Sequence, residues 1–188
     1  MKLVLPARGH LPSYVAALER GWSPDNVRGH AAAEEQLEQI ARGPDAFLAS
    51  FDDPEARGER VKLPDGSKVE RLPGIGRWIW DGEFCGSIGL RWQEGADDPP
   101  SGVLDQIGHI GFAIVPWKRR QGLGRAALAL MLEEARSRGL VHVELVTAPD
   151  NFASRRIIEA NGGILVEAFR KNDAFGGGEA LRFRIMLG

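Results

Sequence analysis

Cysteine occurs once in the 188 residues, as Cys85, and tyrosine once, as Tyr14. A lone thiol excludes an intramolecular disulfide framework and any cysteine-based zinc cluster. The four histidines, His10, His30, His109 and His142, share no metal-ligand spacing, so no metal is expected. No apolar run approaches the ~18 residues of a membrane span, and Pro6 interrupts the N-terminus before a signal-peptide core is complete. Charge bias is lacking too: 24 Lys+Arg stand against 26 Asp+Glu, a formal net charge of −2. That balance argues against a generic nucleic-acid or anionic-membrane binder. The expectation is a cytoplasmic protein with no nucleic acid and no membrane among its partners. The oligomeric state is left open, a homodimer included.

What is present is ordinary for a soluble domain: 43% hydrophobic and 27% charged residues, with 24 glycines. The length fits one domain, 1–188, large enough to bury roughly two-thirds of its unfolded surface. Residues 1–58 read as a helical and irregular N-terminal region. Apolar residues recur at helical spacing over 14–20 and 31–42, the second stretch stopping at Gly43-Pro44. From residue 59 the period changes to two. Pro64-Asp65-Gly66 is a turn, and Asp81-Gly82 signals a hairpin joining strands 77–80 and 83–92. In the second of these, Phe84, Gly86, Ile88, Leu90 and Trp92 alternate with Glu83, Cys85, Ser87, Gly89 and Arg91. Residues 94–100 read as a polar loop. Then come a strand 107–115, a helix 122–138 closed by Gly139, a strand 141–147, and a helix 151–161 ending at Gly162-Gly163. Two last strands, 164–170 and 180–187, flank Gly176-Gly177-Gly178. The chain thus divides into a helical N-terminal region, 1–58, and a part built of strands and helices, 59–188.

The most informative stretch is Ile114-Val115-Pro116-Trp117-Lys118-Arg119-Arg120-Gln121-Gly122-Leu123-Gly124-Arg125. A strand ends, three adjacent cations follow, and two glycines open a helix. Glycines let backbone N–H groups approach a ligand, and a helix N-terminus offers unpaired donors and a positive dipole end. Together these residues make an anion cradle suited to a phosphate or pyrophosphate. No Gly-Lys-Ser/Thr string supports a Walker loop. Gly122-Leu123-Gly124-Arg125-Ala126-Ala127 matches the dinucleotide pattern G-x-G-x-x-A, with Glu144 about 20 residues on. However, Pro116–Gln121 separates strand from glycine where that fold turns almost at once. The chain also ends too soon after Gly124 for a doubly wound sheet.

Arg119-Arg120-Gln121-Gly122-Leu123-Gly124 resembles the R/Q-x-x-G-x-G/A motif of the Gcn5-related N-acetyltransferases (GNAT). Asp150-Asn151-Phe152-Ala153-Ser154 and the helix up to Gly162-Gly163 resemble the family's second signature. The resemblance covers about residues 75–188. It implies a mixed α/β fold, a twisted and mostly antiparallel sheet of six to seven strands flanked by helices, splayed between strands 107–115 and 141–147. It also implies an enzyme that uses acetyl-coenzyme A as cosubstrate for direct N-acetylation of a small-molecule amine or a peptide N-terminus. Ile114, Val115, Arg119, Arg120, Gln121, Gly122, Leu123, Gly124, Arg125, Asn151 and Ser154 would then hold the coenzyme. The thioester carbonyl would take a backbone donor from around 112–115.

Acetylating an alkylammonium with an ordinary pKa near 10.4 calls for a proton acceptor. His109, Glu144 and His142 are the titratable residues on the two splayed strands, with His109 the best tuned by intrinsic pKa and Glu144 second. Each has an alternative reading as a structural hydrogen-bond or ion-pair partner. The Tyr that many members carry in the helix after the Asn, to protonate the leaving thiolate, corresponds here to about Ile158. Ser154 or water would take that role; members acting on protein N-termini commonly show Asn-x-x-Ser without the Tyr. Cys85 has no spaced His partner and reads as packing, not as an acetyl carrier. Two further readings remain: a non-catalytic coenzyme A or acyl-coenzyme A binding module, and a nicotinamide-dependent oxidoreductase.

Overall fold

In the computed structural model, which describes residues 1–93 and 102–188, the strands around Asp81-Gly82 form the middle of a sheet. The loop expected over 94–100 lies outside the described residues. The chain opens with a strand, β1 (Lys2–Val4), and three helices, α1 (Leu11–Glu19), α2 (His30–Arg42) and α3 (Pro44–Ala49). Pro12 in the first turn of α1 and Pro44 at the start of α3 occupy positions where no intrahelical N–H is lost. The strand β2 (Asp52–Asp53) and a small hairpin, β3 (Val61–Lys62) and β4 (Lys68–Val69), come next. Then follow β5 (Gly74–Trp80), β6 (Phe84–Arg91), the short helix α4 (Val103–Ile107), β7 (Ile110–Ile114) and α5 (Leu123–Ser137). The remainder is β8 (His142–Thr147), α6 (Phe152–Glu159), β9 (Ile164–Arg170) and β10 (Glu179–Met186).

Besides the β3–β4 hairpin, two larger antiparallel sheets form, one of order β1-β5-β6-β7 with β2 also on β5, the other of order β8-β10-β9. Among the described residues they meet where Gly108 bridges Leu145 and the His109 N–H donates to the Glu144 carbonyl at 2.7 Å. Past that point no ladder joins β7 to β8 among the described residues. The splay is where the family resemblance placed it, but β7 is shorter than the expected 107–115. Residues 103–107 coil into α4, and Gly108, at φ +71°, makes the turn into the strand.

The strict alternation read along β6 is broken. Between Ile79 and Trp80 the register with β5 shifts, so that Ile79 faces Gly86 while Trp80 faces Phe84. Gly86 stands at φ +150°, and a Cβ there would run into the Ala113 carbonyl. This bulge turns Cys85, Ile88 and Leu90 to one face and Phe84 to the other. The first face meets α5 and α6 through Ala127, Leu128, Met131 and Ile158. The second meets α1–α3 in an aromatic cluster in which Tyr14 stacks on Trp78 at 4.2 Å and 10°.

Candidate active site

The cradle forms as its residues require. Arg120 (φ +63°) and Gly122 (φ +77°) are both left-handed, and this double reversal turns the chain from the 3₁₀ turn Pro116–Lys118 into α5. Leu123, Gly124 and Arg125 open α5, so their N–H groups have no intrahelical acceptor and lie at the positive end of the helix. Gly124 serves packing instead: a Cβ would sit 2.8 Å from Cδ1 of Ile157, so its absence lets α6 lie against α5. Arg119 donates from Nε to the Ile114 carbonyl at 3.3 Å, leaving its outer nitrogens exposed beside Arg120. The third cation is not part of the cradle. Lys118 turns back to Asp81 (2.8 and 3.0 Å) and Glu83 (2.7 Å), clamping the loop to the β5–β6 hairpin.

The strand edge facing the splay follows from hydrogen-bond parity. The Arg91 N–H donates to the His109 carbonyl and the Val115 N–H to the Cys85 carbonyl, both at 2.9 Å, so between them the odd-numbered residues of β7 pair with β6, while the His109 N–H, ahead of the strand, goes to β8. The N–H and C=O groups of Ile110, Phe112 and Ile114 therefore point toward β8. Val115, expected to hold the coenzyme, does not face the gap. Its N–H is taken by Cys85, its carbonyl accepts the Lys118 N–H at 3.0 Å, and its side chain is fully buried.

The two candidate bases have partners that sequence reading did not supply. The Nδ1 of His109 accepts the Glu144 N–H at 3.0 Å, so the neutral ring carries its proton on Nε2. Burial pushes its pKa down to about 4, the nearby Glu144 charge only partly opposing this. Its one lone pair is thus already engaged. Glu144 is completely buried, with Arg182 Nη1 at 3.0 Å and Arg184 Nη2 at 2.6 Å on its two oxygens. Arg182 extends the network to Asp105 (2.8 Å) and Glu167 (2.9 Å). In this setting Glu144 neutralises two arginines of β10. His142 lies half-buried, its ring centroid 6.0 Å from that of His109.

At the far side of the mouth, Asn151 caps α6 by accepting the Ser154 N–H at 3.1 Å, which places both residues in the turn leaving β8. Ile158 is buried in the core, so no hydroxyl stands where many family members have tyrosine. Tyr14 does not replace it. It hydrogen-bonds Gln36 inside the aromatic cluster, and burial raises its pKa far above the ordinary value. Cys85 is buried, its thiol pushed up to about 11, chiefly by burial and then by Asp81. Trp117 packs against the N-terminal cluster under the Arg20 guanidinium, 4.0 Å away. Among the described residues no group of three or more His, Cys, Asp or Glu is placed to hold a metal ion. Nor is any helix there long and apolar enough to cross a membrane.

An acetyltransferase (GNAT) domain model matches residues 20–164, and the chain belongs to that acetyltransferase family. Among curated proteins none matches the sequence. Solved structures share the fold at low identity. The ribosomal L7/L12 α-N-protein acetyltransferase RimL in complex with coenzyme A superposes with a TM-score of 0.61 at 12% identity, covering 98% of this chain and 92% of that one. RimJ of Mycobacterium smegmatis, in complex with a coenzyme A disulfide, gives 0.60 at 18%, covering 98% and 80%. The microcin C7 self-immunity acetyltransferase MccE, in complex with acetyl-coenzyme A and AMP, gives 0.58 at 10%, covering 98% and 91%.

Proposed function

We propose that this enzyme transfers the acetyl group of acetyl-coenzyme A directly to a primary amine, on a small molecule or a peptide N-terminus. The observation that carries this reading is the splay: a strand edge, Ile110–Ile114, that no ladder joins to β8 among the described residues, leading to an anion cradle at the start of α5. These groups fit a long ligand that has a diphosphate at one end and amides along its arm, as coenzyme A has. RimL, RimJ and MccE, which share the fold, are seen with coenzyme A species.

The donor supplies an activated acetyl thioester; the chain supplies the surroundings. The N–H groups of Leu123, Gly124 and Arg125, with Gln121 and the arginines 119 and 120 beside them, hold the diphosphate. Phe112 or Ile114 donates an N–H to the thioester carbonyl, whose oxygen gains charge during attack. Asn151 orients the arm, and Ser154 is the hydroxyl donor for the departing thiolate. His109 holds the Glu144 backbone and, neutral, contributes an Nε2–H donor beside β7. With Glu144 neutralising arginines, the amine proton leaves to solvent. Cys85 takes no part, so no acetyl-cysteine forms.

The test is titration of acetyl-coenzyme A into the chain and its Arg119→Ala/Arg120→Ala variant, followed by a screen for thiol release with amines. Micromolar binding, weakened about tenfold or more in the variant, and amine-dependent thiol release are expected. Binding without any amine-dependent release would favour the non-catalytic coenzyme A module.

A further inference from the structure

We propose that Arg91 is the recognition group for a carboxylate on the acceptor, so that the enzyme acetylates amines of amino-acid size that carry an acid. The inference rests on the acetyltransferase reading and narrows its substrate class.

A cavity of about 280 Å³ lies on the α1–α3 face of the sheet, with β5, β6, the β3–β4 hairpin and α4 forming its walls. Its floor is cleared by glycine: cross-strand pairing puts Gly74 and Gly89 on the same face as Arg91, with Gly111 the next partner on β7. The Arg91 guanidinium extends from this cavity across β7, and a Cβ on Gly111 would lie 2.9 Å from one of its nitrogens. Gly111 neighbours Phe112, a candidate donor to the thioester carbonyl. A carboxylate held by Arg91 therefore sits beside the reacting strand.

The charges of the cavity are otherwise matched. Asp53 accepts the Arg57 and Gly58 N–H groups at 2.8 and 2.9 Å and faces Arg71 at 3.6 Å, while Glu70 pairs with Arg60. Among the described residues the Arg91 side chain has no carboxylate and no hydrogen-bond acceptor. Burial lowers its pKa to about 10, and Lys171, half-buried on the β9–β10 connection, is lowered by burial and by Arg91 itself. A buried guanidinium that has no acid partner among the described residues, with a second cation near enough to perturb it, favours the arrival of an anion. A guanidinium is suited to the two oxygens of a carboxylate.

The test uses the intact chain, Arg91→Gln, and Gly111→Ala, which keeps the charge but displaces the guanidinium. Probes are leucine, phenylalanine and lysine, each paired with its decarboxylated amine, and C-terminally amidated tetrapeptides with Asp or Ala at position two. Thiol release, acetylated-product mass and acetyl-coenzyme A affinity are measured, with melting temperatures as a folding control. The intact enzyme is expected to prefer each acid over its decarboxylated partner. Both variants should narrow that kcat/KM ratio about 30-fold or more, as expected for losing a charged hydrogen-bonded pair. Coenzyme affinity should stay within twofold. The Arg91→Gln melting temperature should not fall, whereas a merely structural arginine would lower it. A preference for Asp peptides over free acids, lost in both variants, would keep Arg91 as a carboxylate site but overturn the amino-acid-sized acceptor. Equal use of acids and amines, an unchanged ratio in Arg91→Gln, or coenzyme binding with no acidic acceptor turned over would each overturn the proposal. Failure to bind acetyl-coenzyme A would instead overturn the acetyltransferase reading beneath it.

Discussion

His109 holds its ring neutral because its lone pair meets the Glu144 N–H inside the protein. In the unfolded chain the same ring titrates near 6.5, against about 4 when folded. Between those values the unfolded state binds more protons, so stability is complete above pH 6.5 and falls as pH drops toward 4, by up to about 3 kcal/mol. Urea unfolding at pH 7.5 and 5 should show this loss in the native chain and a smaller one in His109→Asn, which keeps an acceptor for the N–H. The pH profile of kcat/KM should show no histidine inflection from this residue between pH 5 and 8. Glu144→Gln should destabilise by about 1.5–3 kcal/mol in the same assay, because it removes the buried carboxylate that accepts from both Arg182 and Arg184. Both residues were visible in the sequence as polar positions on an apolar strand. Their duties were not, since the partner of His109 lies on β8 and those of Glu144 on β10, across contacts that no local pattern encodes.

Elements with strong local signals were legible, and α5 and α6 are the clearest: a left-handed glycine or a capping Asn at the start, a stop at Gly139 or Gly162. The short ones were not. The three residues of β1 and the five of α4 cannot display a period, and β1 exists only because β5 has a free edge to pair with. The bulge in β6 was hidden for a different reason, since a glycine in an alternating strand looks like any small residue until its φ is known. Gly86→Ala must force a side chain into a left-sided backbone and against the Ala113 carbonyl. A loss of about 2–3 kcal/mol is expected from urea melts, with Gly89→Ala, at ordinary φ and 3.5 Å from its nearest neighbour, much milder.

At the scale of the whole molecule, two sheets joined at one corner create the opening, and three helices close the other face. The region 1–58 is tied to the sheet by the Tyr14–Trp78 stack and touches the last loop where Val27 meets Gly176. It thus borders the face on which Arg91 lies. The cradle could be read in advance because it rests on glycines and caps close in sequence, whereas the splay was expected only from the family resemblance. The acceptor side could not, because its floor is assembled from β5, β6 and β7, and Arg91 reads as an ordinary outward residue of an alternating strand.

The central claim is that coenzyme A enters the splay and is held by the start of α5. Calorimetric titration of acetyl-coenzyme A, coenzyme A and NADH into the intact chain, repeated with Arg119→Ala/Arg120→Ala, tests it most directly. Micromolar binding of the two coenzyme A species, none of NADH, and an affinity lowered about tenfold or more in a variant that melts normally are the expected results. Absence of coenzyme A binding, or an unchanged affinity in the folded variant, would contradict the account.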